Sequence, residues 1–385
     1  MVRVQIPYIR GDGVGTDIWE ASHTVLEEAV WKASGGTQKI EWIPLLAGEK
    51  AIQKIGKPLP EETEEAIRAH RIALKGPLTT PVGGGHRSVN VHLRQAFNLY
   101  VGQRPIRYFD GLPSPLKRPE RINLILFREN TEDLYQGIEW EEGTSEAKEL
   151  IRFLQDRRGV ILPPDTGLGL KPMSRGATRR FAKWVLEYAI SHKRKAVTIV
   201  HKGNIMKYTE GAFRKWTYEV AEEYKDHFAV ADEGDKIRIN DRMADNMFMQ
   251  VILRPEDYDI LLCPNLNGDY LSDACAALIG GLGVAPGGDI GDEVAIFEPV
   301  HGSAPKYAGQ DVVNPMGFML SGGMLFEHLG LSAAASCLQK AVEATVKAGI
   351  VTYDLARQME GVTPVRCSAF AAEVARRIGE AHSPK

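Results

Sequence analysis

Asp269 and Asp273 stand four residues apart in Asn265-Leu-Asn-Gly-Asp-Tyr-Leu-Ser-Asp-Ala-Cys-Ala-Ala-Leu278. On a helix, positions i and i+4 share a face, so both carboxylates would point the same way. Two like charges that close repel unless something neutralises them, and a hard divalent cation such as Mg²⁺ or Mn²⁺ is the natural counter-ion. The same spacing also describes a solvated acidic face near a helix start, where the helix dipole favours Asp. Position favours the cation. Residues 258–263 read as a short buried strand and 274–278 as a helix, and open α/β sheets bind ligands in the crevice at the carboxyl ends of their strands.

Three arginines carry the opposite charge. Ser88-Val-Asn-Val-His-Leu-Arg94 reads as a helix with Ser88 at its start and Arg94 on the same side. Arg104 lies in Arg104-Pro-Ile-Arg107 and Arg128 in Phe127-Arg-Glu-Asn130. Guanidinium forks match carboxylate and phosphate oxygens, and a helix N-terminus attracts anions. One reading is a site for a polyanionic small molecule; the other is three unrelated surface arginines beside an N-capping serine. In His201-Lys-Gly-Asn204 a strand delivers Lys202 at its end, either as an ordinary surface lysine or as a desolvated acid/base group. Asp245, in an expected helix over residues 242–251, reads by itself as solvated.

These residues need a frame. Val2–Ile9 alternates like a strand, turns through Arg10-Gly-Asp-Gly-Val-Gly15 and enters a helical pattern over residues 17–33. Gly11, Gly13 and Gly15 do not give G-x-G-x-x-G, so a tight turn is expected there and not a dinucleotide fingerprint. Further strands are expected at residues 41–44, 72–74, 196–200 and 295–298, with helices at 60–70, 145–157, 178–192, 210–224, 314–329, 332–348 and 368–379. That alternation is the mark of an α/β chain. Residues 75–85 form a long turn-rich loop of a functional kind. Residues 159–172 read as an exposed connector or arm. The six glycines within 280–292, followed by a strand, suggest a chain that leaves one lobe and returns to it.

A chain of 385 residues can bury a large core and is expected to split into two lobes. A net charge of −3 with both signs scattered argues against nucleic acid or an anionic membrane as the main partner. Cys263, Cys275, Cys337 and Cys367 show no C-x-x-C pairing and lie mostly in apolar runs, as reduced core residues would, not a disulfide framework or a zinc site. No apolar run is long enough to span a bilayer, and a strand pattern at the very start leaves no room for a signal peptide. A cytoplasmic location is expected.

Several long stretches, in order, carry a resemblance: Lys75-Gly-Pro-Leu-Thr-Thr-Pro-Val-Gly-Gly-Gly85, Phe127-Arg-Glu-Asn130, Val200-His-Lys-Gly-Asn-Ile-Met-Lys207, residues 265–273 and residues 285–314. Over nearly the whole chain they resemble the β-decarboxylating dehydrogenases of isocitrate, isopropylmalate and homoisocitrate, and most closely the bacterial-type NADP-dependent isocitrate dehydrogenases. The resemblance implies an isocitrate/isopropylmalate dehydrogenase-like α/β fold without the common Rossmann motif. A large cofactor-binding lobe would comprise residues 1–99 and 280–385. A small lobe of residues 100–132 and 175–279 would carry the metal site and dimer interface, and residues 133–174 a clasp arm interlocking two subunits. The implied activity, a step of the tricarboxylic acid cycle, is oxidative decarboxylation of isocitrate by a homodimer with shared active sites, using NADP and Mg²⁺ or Mn²⁺.

Residue by residue, the resemblance gives Ser88, Asn90, Arg94, Arg104 and Arg128 to the substrate carboxylates. Asp269 and Asp273 would hold the metal, joined by Asp245 from the other subunit. Tyr135 and, across the interface, Lys202 would handle protons. Lys306, Tyr307, Tyr353 and Arg357 match the set that binds the 2′-phosphate of NADP. His301, Gly302, Asn314 and Asp354 would line the adenosine pocket, and Thr79 would lie near the nicotinamide. Serine and asparagine at the spacing of Ser88 and Asn90 mark isocitrate users; isopropylmalate enzymes place apolar side chains there. The chain departs from its relatives in a shorter connection over residues 225–237, in having no extension before the first strand, and in His86 and Pro264. The alternatives are a homoisocitrate or promiscuous 2-hydroxyacid decarboxylase, and a catalytically silent regulatory subunit.

Overall fold

The computed structural model describes residues 1–81, 87–231 and 234–380. His86 and the end of the 75–85 loop lie outside the described residues, as do two positions of the 225–237 connection. Among the described residues, thirteen strands follow in chain order: β1 (Val2–Ile9), β2 (Gln38–Leu45), β3 (Ile72–Lys75), β4 (Val101–Arg107), β5 (Asn123–Glu129), β6 (Glu139–Trp140), β7 (Leu168–Gly169), β8 (Ala196–His201), β9 (Phe228–Ala229), β10 (Ile237–Met243), β11 (Ile260–Cys263), β12 (Pro286–Ile290) and β13 (Ala295–Pro299). Among the described residues, eleven form one sheet in the order β2-β1-β3-β13-β12-β4-β5-β11-β8-β10-β9, and β6 pairs with β7 in a separate ribbon.

β2, β1, β3 and β13 run parallel, as do β5, β11, β8, β10 and β9. Between these blocks β12 and β4 are antiparallel to both of their neighbours, which reverses the sense of the second block. The first block and β12 come from the two ends of the chain, and the rest from its middle. β3, β8 and β11 are buried along their whole length, as parallel strands covered by helices on both faces must be. Helix Gly15–Ala33 packs on Cys367–Glu380, Met316–His328 and Ser332–Lys347 over one half; Arg175–Ser191 packs on Glu210–Glu223 over the other.

The turn after β1 behaves as its glycines suggest. Gly11 and Gly13 adopt φ of 86° and 52°, and a Cβ on Gly13 would lie 2.0 Å from the Ser303 carbonyl oxygen. Asp12 between them is buried and accepts from the amides of Thr79 and Glu49, each at 2.9 Å. The turn thereby anchors the loop that follows β3 and the start of an unanticipated helix, Glu49–Ile55.

Two expectations shift. Arg242 sits in β10, not in a helix; the helix bearing Asp245 is Ala244–Leu253. Residues 237–240 alternate Ile-Arg-Ile-Asn, and buried Ile237 and Ile239 give a strand's period of two. The second helix begins at Asn265, well before residue 274. Pro264 has no N–H with which to continue a ladder, and its carbonyl accepts the first helical bond from Gly268 at 2.9 Å. Both Asp269 and Asp273 therefore lie on Asn265–Ala277, one turn apart.

Candidate active site

A cleft of about 220 Å³ gathers Ser88, Asn90, Arg94, Arg104, Arg128 and Tyr135 together with Asp269 and Asp273. A larger cavity of about 350 Å³, along Leu124, Val284, Leu320 and Leu338, is mostly apolar and contains none of the expected site residues. The three arginines are not surface groups: Arg94, Arg104 and Arg128 are 8%, 4% and 3% exposed. A buried guanidinium must be paired or it unfolds its surroundings, and each has a distinct partner set.

Arg94, on helix Val89–Ala96, donates from Nε to Asp289 Oδ2 at 2.8 Å, with its Nη2 3.5 Å from Glu298 Oε1. Burial works against its charge, but Asp289 and Glu298 together raise its pKa. Arg104 donates from Nη2 to Asp289 Oδ1 at 3.0 Å and from Nη1 to the carbonyl oxygens of Gln103 and Gly288 at 3.0 and 3.1 Å. It can lie across β12 because Gly287 has no side chain; a Cβ there would be 2.8 Å from Arg104 Nη1. Arg128 donates from Nε to Asn265 Oδ1 at 2.9 Å, pairs with Asp269 and sits over the Tyr135 ring at 4.5 Å. Gly268 clears its path, since a Cβ there would meet Arg128 Cγ at 2.8 Å. Burial and the neighbouring Arg94 pull Arg128 below its ordinary pKa.

The acidic wall is a single helix turn. Asp269 pairs with Arg128 and accepts from the Tyr135 hydroxyl at 2.6 Å. Partial burial and the Asp269 charge push Asp273 above the usual carboxylate range. Tyr135 is pushed up to about 12, first by burial and then, against Arg128, by its bond to Asp269; its proton stays on the oxygen at neutral pH. Three atoms of residues lining the cleft, Arg128 Nη2, Asn90 Oδ1 and His301 Nε2, are buried without a hydrogen-bond partner. Two hard carboxylates on one face fit a divalent cation, yet the described residues bring together no group of three His, Cys, Asp or Glu able to hold one. Ser88 caps its helix, accepting from Val91 N at 3.4 Å, while also taking a bond from Thr80 Oγ1 at 3.1 Å.

Lys202 and Asp245 do not line this cleft. They pair with each other at 2.8 Å just beyond the ends of β8 and β10, Lys202 half-buried and Asp245 exposed. Buried Glu210 receives the Lys202 amide and Asn267 Nδ2, the latter at 2.8 Å, so the lysine loop is tied to the helix that carries the two aspartates. Lys171 Nζ, in the 159–172 segment, bonds Asp133 at 2.5 Å and Glu210 at 3.0 Å.

The expected cofactor residues form a second cluster. Lys306 lies 4.7 Å over the Tyr307 ring, Arg357 lies 5.9 Å over Tyr353, and the two rings are 5.7 Å apart. Asn314 donates to Asp354 at 3.0 Å. His301 Nε2 is buried without a partner, and burial lowers that imidazole's pKa, keeping it neutral. Gly302 and His301 also line the arginine cleft. Thr79 Oγ1 donates to Ser303 Oγ at 2.8 Å, next in the chain to Gly302. Two cations with two phenols, exposed, suit a phosphate dianion.

Sequence reasoning missed Lys75, Asn130, Asp289 and Glu298. Lys75 and Glu298 form an ion pair between β3 and β13, each almost fully buried. The available signal was a charged residue inside an otherwise apolar strand.

The family described as isocitrate/isopropylmalate dehydrogenase matches residues 5–374. The chain is 52% identical over 384 residues to a protein named isocitrate dehydrogenase [NADP] from Archaeoglobus fulgidus, covering 97% of this chain and 92% of that one. It is 48% identical over 389 residues to the protein of that name from Haloferax volcanii, with the same coverage. The crystal structure of isocitrate dehydrogenase from Methylococcus capsulatus superposes with a TM-score of 0.83 at 37% identity, covering 98% of this chain and 99% of the other. Likeness of this extent, running through both clusters, establishes that the chain belongs to the isocitrate/isopropylmalate dehydrogenase family.

Proposed function

We propose that the chain is an NADP-dependent isocitrate dehydrogenase, converting isocitrate to 2-oxoglutarate and CO₂ with Mg²⁺ or Mn²⁺. The observation that carries this is the convergence of Arg94, Arg104 and Arg128 with Asp269 and Asp273 on one small cleft: three cations suit a tricarboxylate and two hard oxygen donors a divalent metal. Ser88 and Asn90, which line the same cleft, offer polar atoms to one of the three carboxylates. Relatives bearing the same enzyme name at 47–52% identity support the reading.

A divalent cation held by Asp269 and Asp273 would lower the pKa of the substrate hydroxyl and stabilise the charge that develops as CO₂ departs. The arginine forks fix the carboxylates and so the face of C2 that yields hydride to the nicotinamide. Lys202, with Asp245 beside it, takes the hydroxyl proton. Tyr135 keeps its own proton until decarboxylation leaves charge at C3, and then delivers it there.

Lys202 and Asp245 lie outside the cleft, and we assign them to the site of a second copy in a homodimer. Helix Ala244–Leu253 supports this with Met249, Ile252 and Leu253 at 44%, 53% and 63% exposed, and Tyr270 of the aspartate helix at 59%. We read residues 1–99 with 280–385 as the large lobe, 100–132 with 175–279 as the small one, and 133–174 as the arm between subunits. No helix among the described residues is long and apolar enough to cross a membrane; the four buried free cysteines support a reducing, cytoplasmic setting.

Initial rates with isocitrate, homoisocitrate and 3-isopropylmalate, each with NADP and with NAD, test the assignment. The highest kcat/KM is expected for isocitrate with NADP. A preference for either other acid overturns it.

A further inference from the structure

Behind two of the cleft's arginines, and not itself lining the cleft, lies a buried carboxylate that none of the roles above uses. Asp289, on β12, is 2% exposed. Its Oδ2 accepts from Arg94 Nε at 2.8 Å, and its Oδ1 accepts from Arg104 Nη2 at 3.0 Å and Asn130 Nδ2 at 3.1 Å. The surroundings are cut to allow this. Gly287 makes room for Arg104, and Gly102 for Asn130, whose amide atoms would lie 2.9 Å from a Cβ at position 102. Three elements thus converge on a single carboxylate: helix Val89–Ala96, β4, and the residue that follows β5.

We propose that Asp289 is a positioning residue for substrate: by spanning Arg94 Nε and Arg104 Nη2 it fixes both guanidinium planes, so that their remaining N–H groups form one preorganised receptor for the substrate carboxylates. This rests on the assignment of the cleft to a polycarboxylate. A guanidinium is planar with five donors in fixed directions, so holding one edge sets where the others point. Without the carboxylate, two buried cations would lose their shared anion, leaving Arg94 the longer contact to Glu298 and Arg104 two carbonyl oxygens. Burial opposes the charge on Asp289, but Arg94 and Arg104 outweigh it and hold this carboxyl well below the usual range, so it stays an acceptor at any working pH. Asparagine at this position keeps the size and one acceptor oxygen. Its NH₂ group, however, faces a guanidinium donor, and one fork must turn away.

The test is Asp289→Asn in the full-length protein. Steady-state kinetics are read with both substrates, and isocitrate binding is measured by calorimetry with Mg²⁺ and no NADP. Expected are a KM and a Kd for isocitrate raised about tenfold or more, equivalent to about 1.4 kcal/mol. The KM for NADP should stay within about twofold and kcat within about threefold, whatever fall in Tm the loss of a buried ion-pair partner brings, since the loss at the site is one of preorganisation. An isocitrate Kd within about twofold of the wild type overturns the proposal, as does a parallel loss of isocitrate and NADP affinity with a lowered Tm. If the variant does not fold, Asp289→Ser is read by the same criteria. Failure of both to fold also overturns the proposal, because the carboxylate would then be a requirement of folding. If wild-type protein binds isocitrate but does not turn it over, the proposed function fails while the calorimetric comparison still decides Asp289.

Discussion

Replacing Lys306 by Asp should turn the chain away from NADP while leaving NAD nearly untouched. Lys306 and Arg357 stand over the rings of Tyr307 and Tyr353 at 4.7 and 5.9 Å, and bonding to Tyr353 and Lys306 pulls the Tyr307 hydroxyl below its ordinary pKa. All this lies at the surface, so the charged hydrogen bond lost with Lys306 takes the lower end of its range, about 1.5 kcal/mol. A carboxylate in its place repels each phosphate charge by about 1 kcal/mol at about 4 Å in water, hence about 2 kcal/mol for a dianion. The sum, about 3.5 kcal/mol, is a fall of roughly two to three orders of magnitude in kcat/KM for NADP. NAD has no 2′-phosphate, and its kcat/KM should move less than about threefold. The assay is the initial rate of nicotinamide reduction at saturating isocitrate and Mn²⁺, with each cofactor varied. A change of less than about tenfold in the NADP/NAD ratio would refute the assignment of this cluster to the phosphate.

Lys202→Met and Tyr135→Phe should each be nearly inactive alone, yet partly complement when subunits are exchanged. One site of a mixed dimer would carry both lesions and the other neither, giving about a quarter of wild-type activity after random exchange. No recovery in dimers shown to be mixed would place Lys202 outside catalysis at the partner's site. Asp241, on β10, supplies an acid-stability prediction. Burial raises its pKa, but bonds from Arg214, His201 and Tyr218 outweigh this and hold it at about 2, against 3.8 when free. A depressed carboxylate stabilises the fold fully above its unfolded pKa and loses that contribution as the pH falls toward the folded value. Asp241→Asn should therefore cost about 2 kcal/mol at pH 7 and about half of that at pH 3, read by urea unfolding at each pH. A deficit independent of pH would show that Asp241 acts by shape alone.

Much of the site was legible because its chemistry is local. Asp269 and Asp273 announce a shared face by spacing, and Ser88 to Arg94 fit one helix. What spacing could not decide was burial. Arg94, Arg104 and Arg128 read equally well as surface groups until β4, β5 and helix Val89–Ala96 bring them together. The resemblance to known dehydrogenases, not the pattern of charges, supplied the roles of Lys202 and Asp245; a sequence does not say that two such residues are absent from the lining of their own chain's cleft. β10 was hidden because its polar end, residues 240–243, runs straight into helix Ala244–Leu253. Asp289 was hidden by its glycine-rich surroundings, which carry no strand pattern of their own and are in fact a strand hollowed out to admit Arg104. Local rules give elements and candidate groups, whereas the pairing of distant buried charges is settled only when the sheet closes.

The central claim is that two carboxylates on helix Asn265–Ala277 hold a divalent cation on which both hydride transfer and loss of CO₂ depend. Protein stripped exhaustively with a chelator and supplied with isocitrate and NADP should form neither NADPH nor CO₂, and added Mn²⁺ should restore both together with 2-oxoglutarate in equal amounts. Undiminished turnover of the stripped protein would contradict the account.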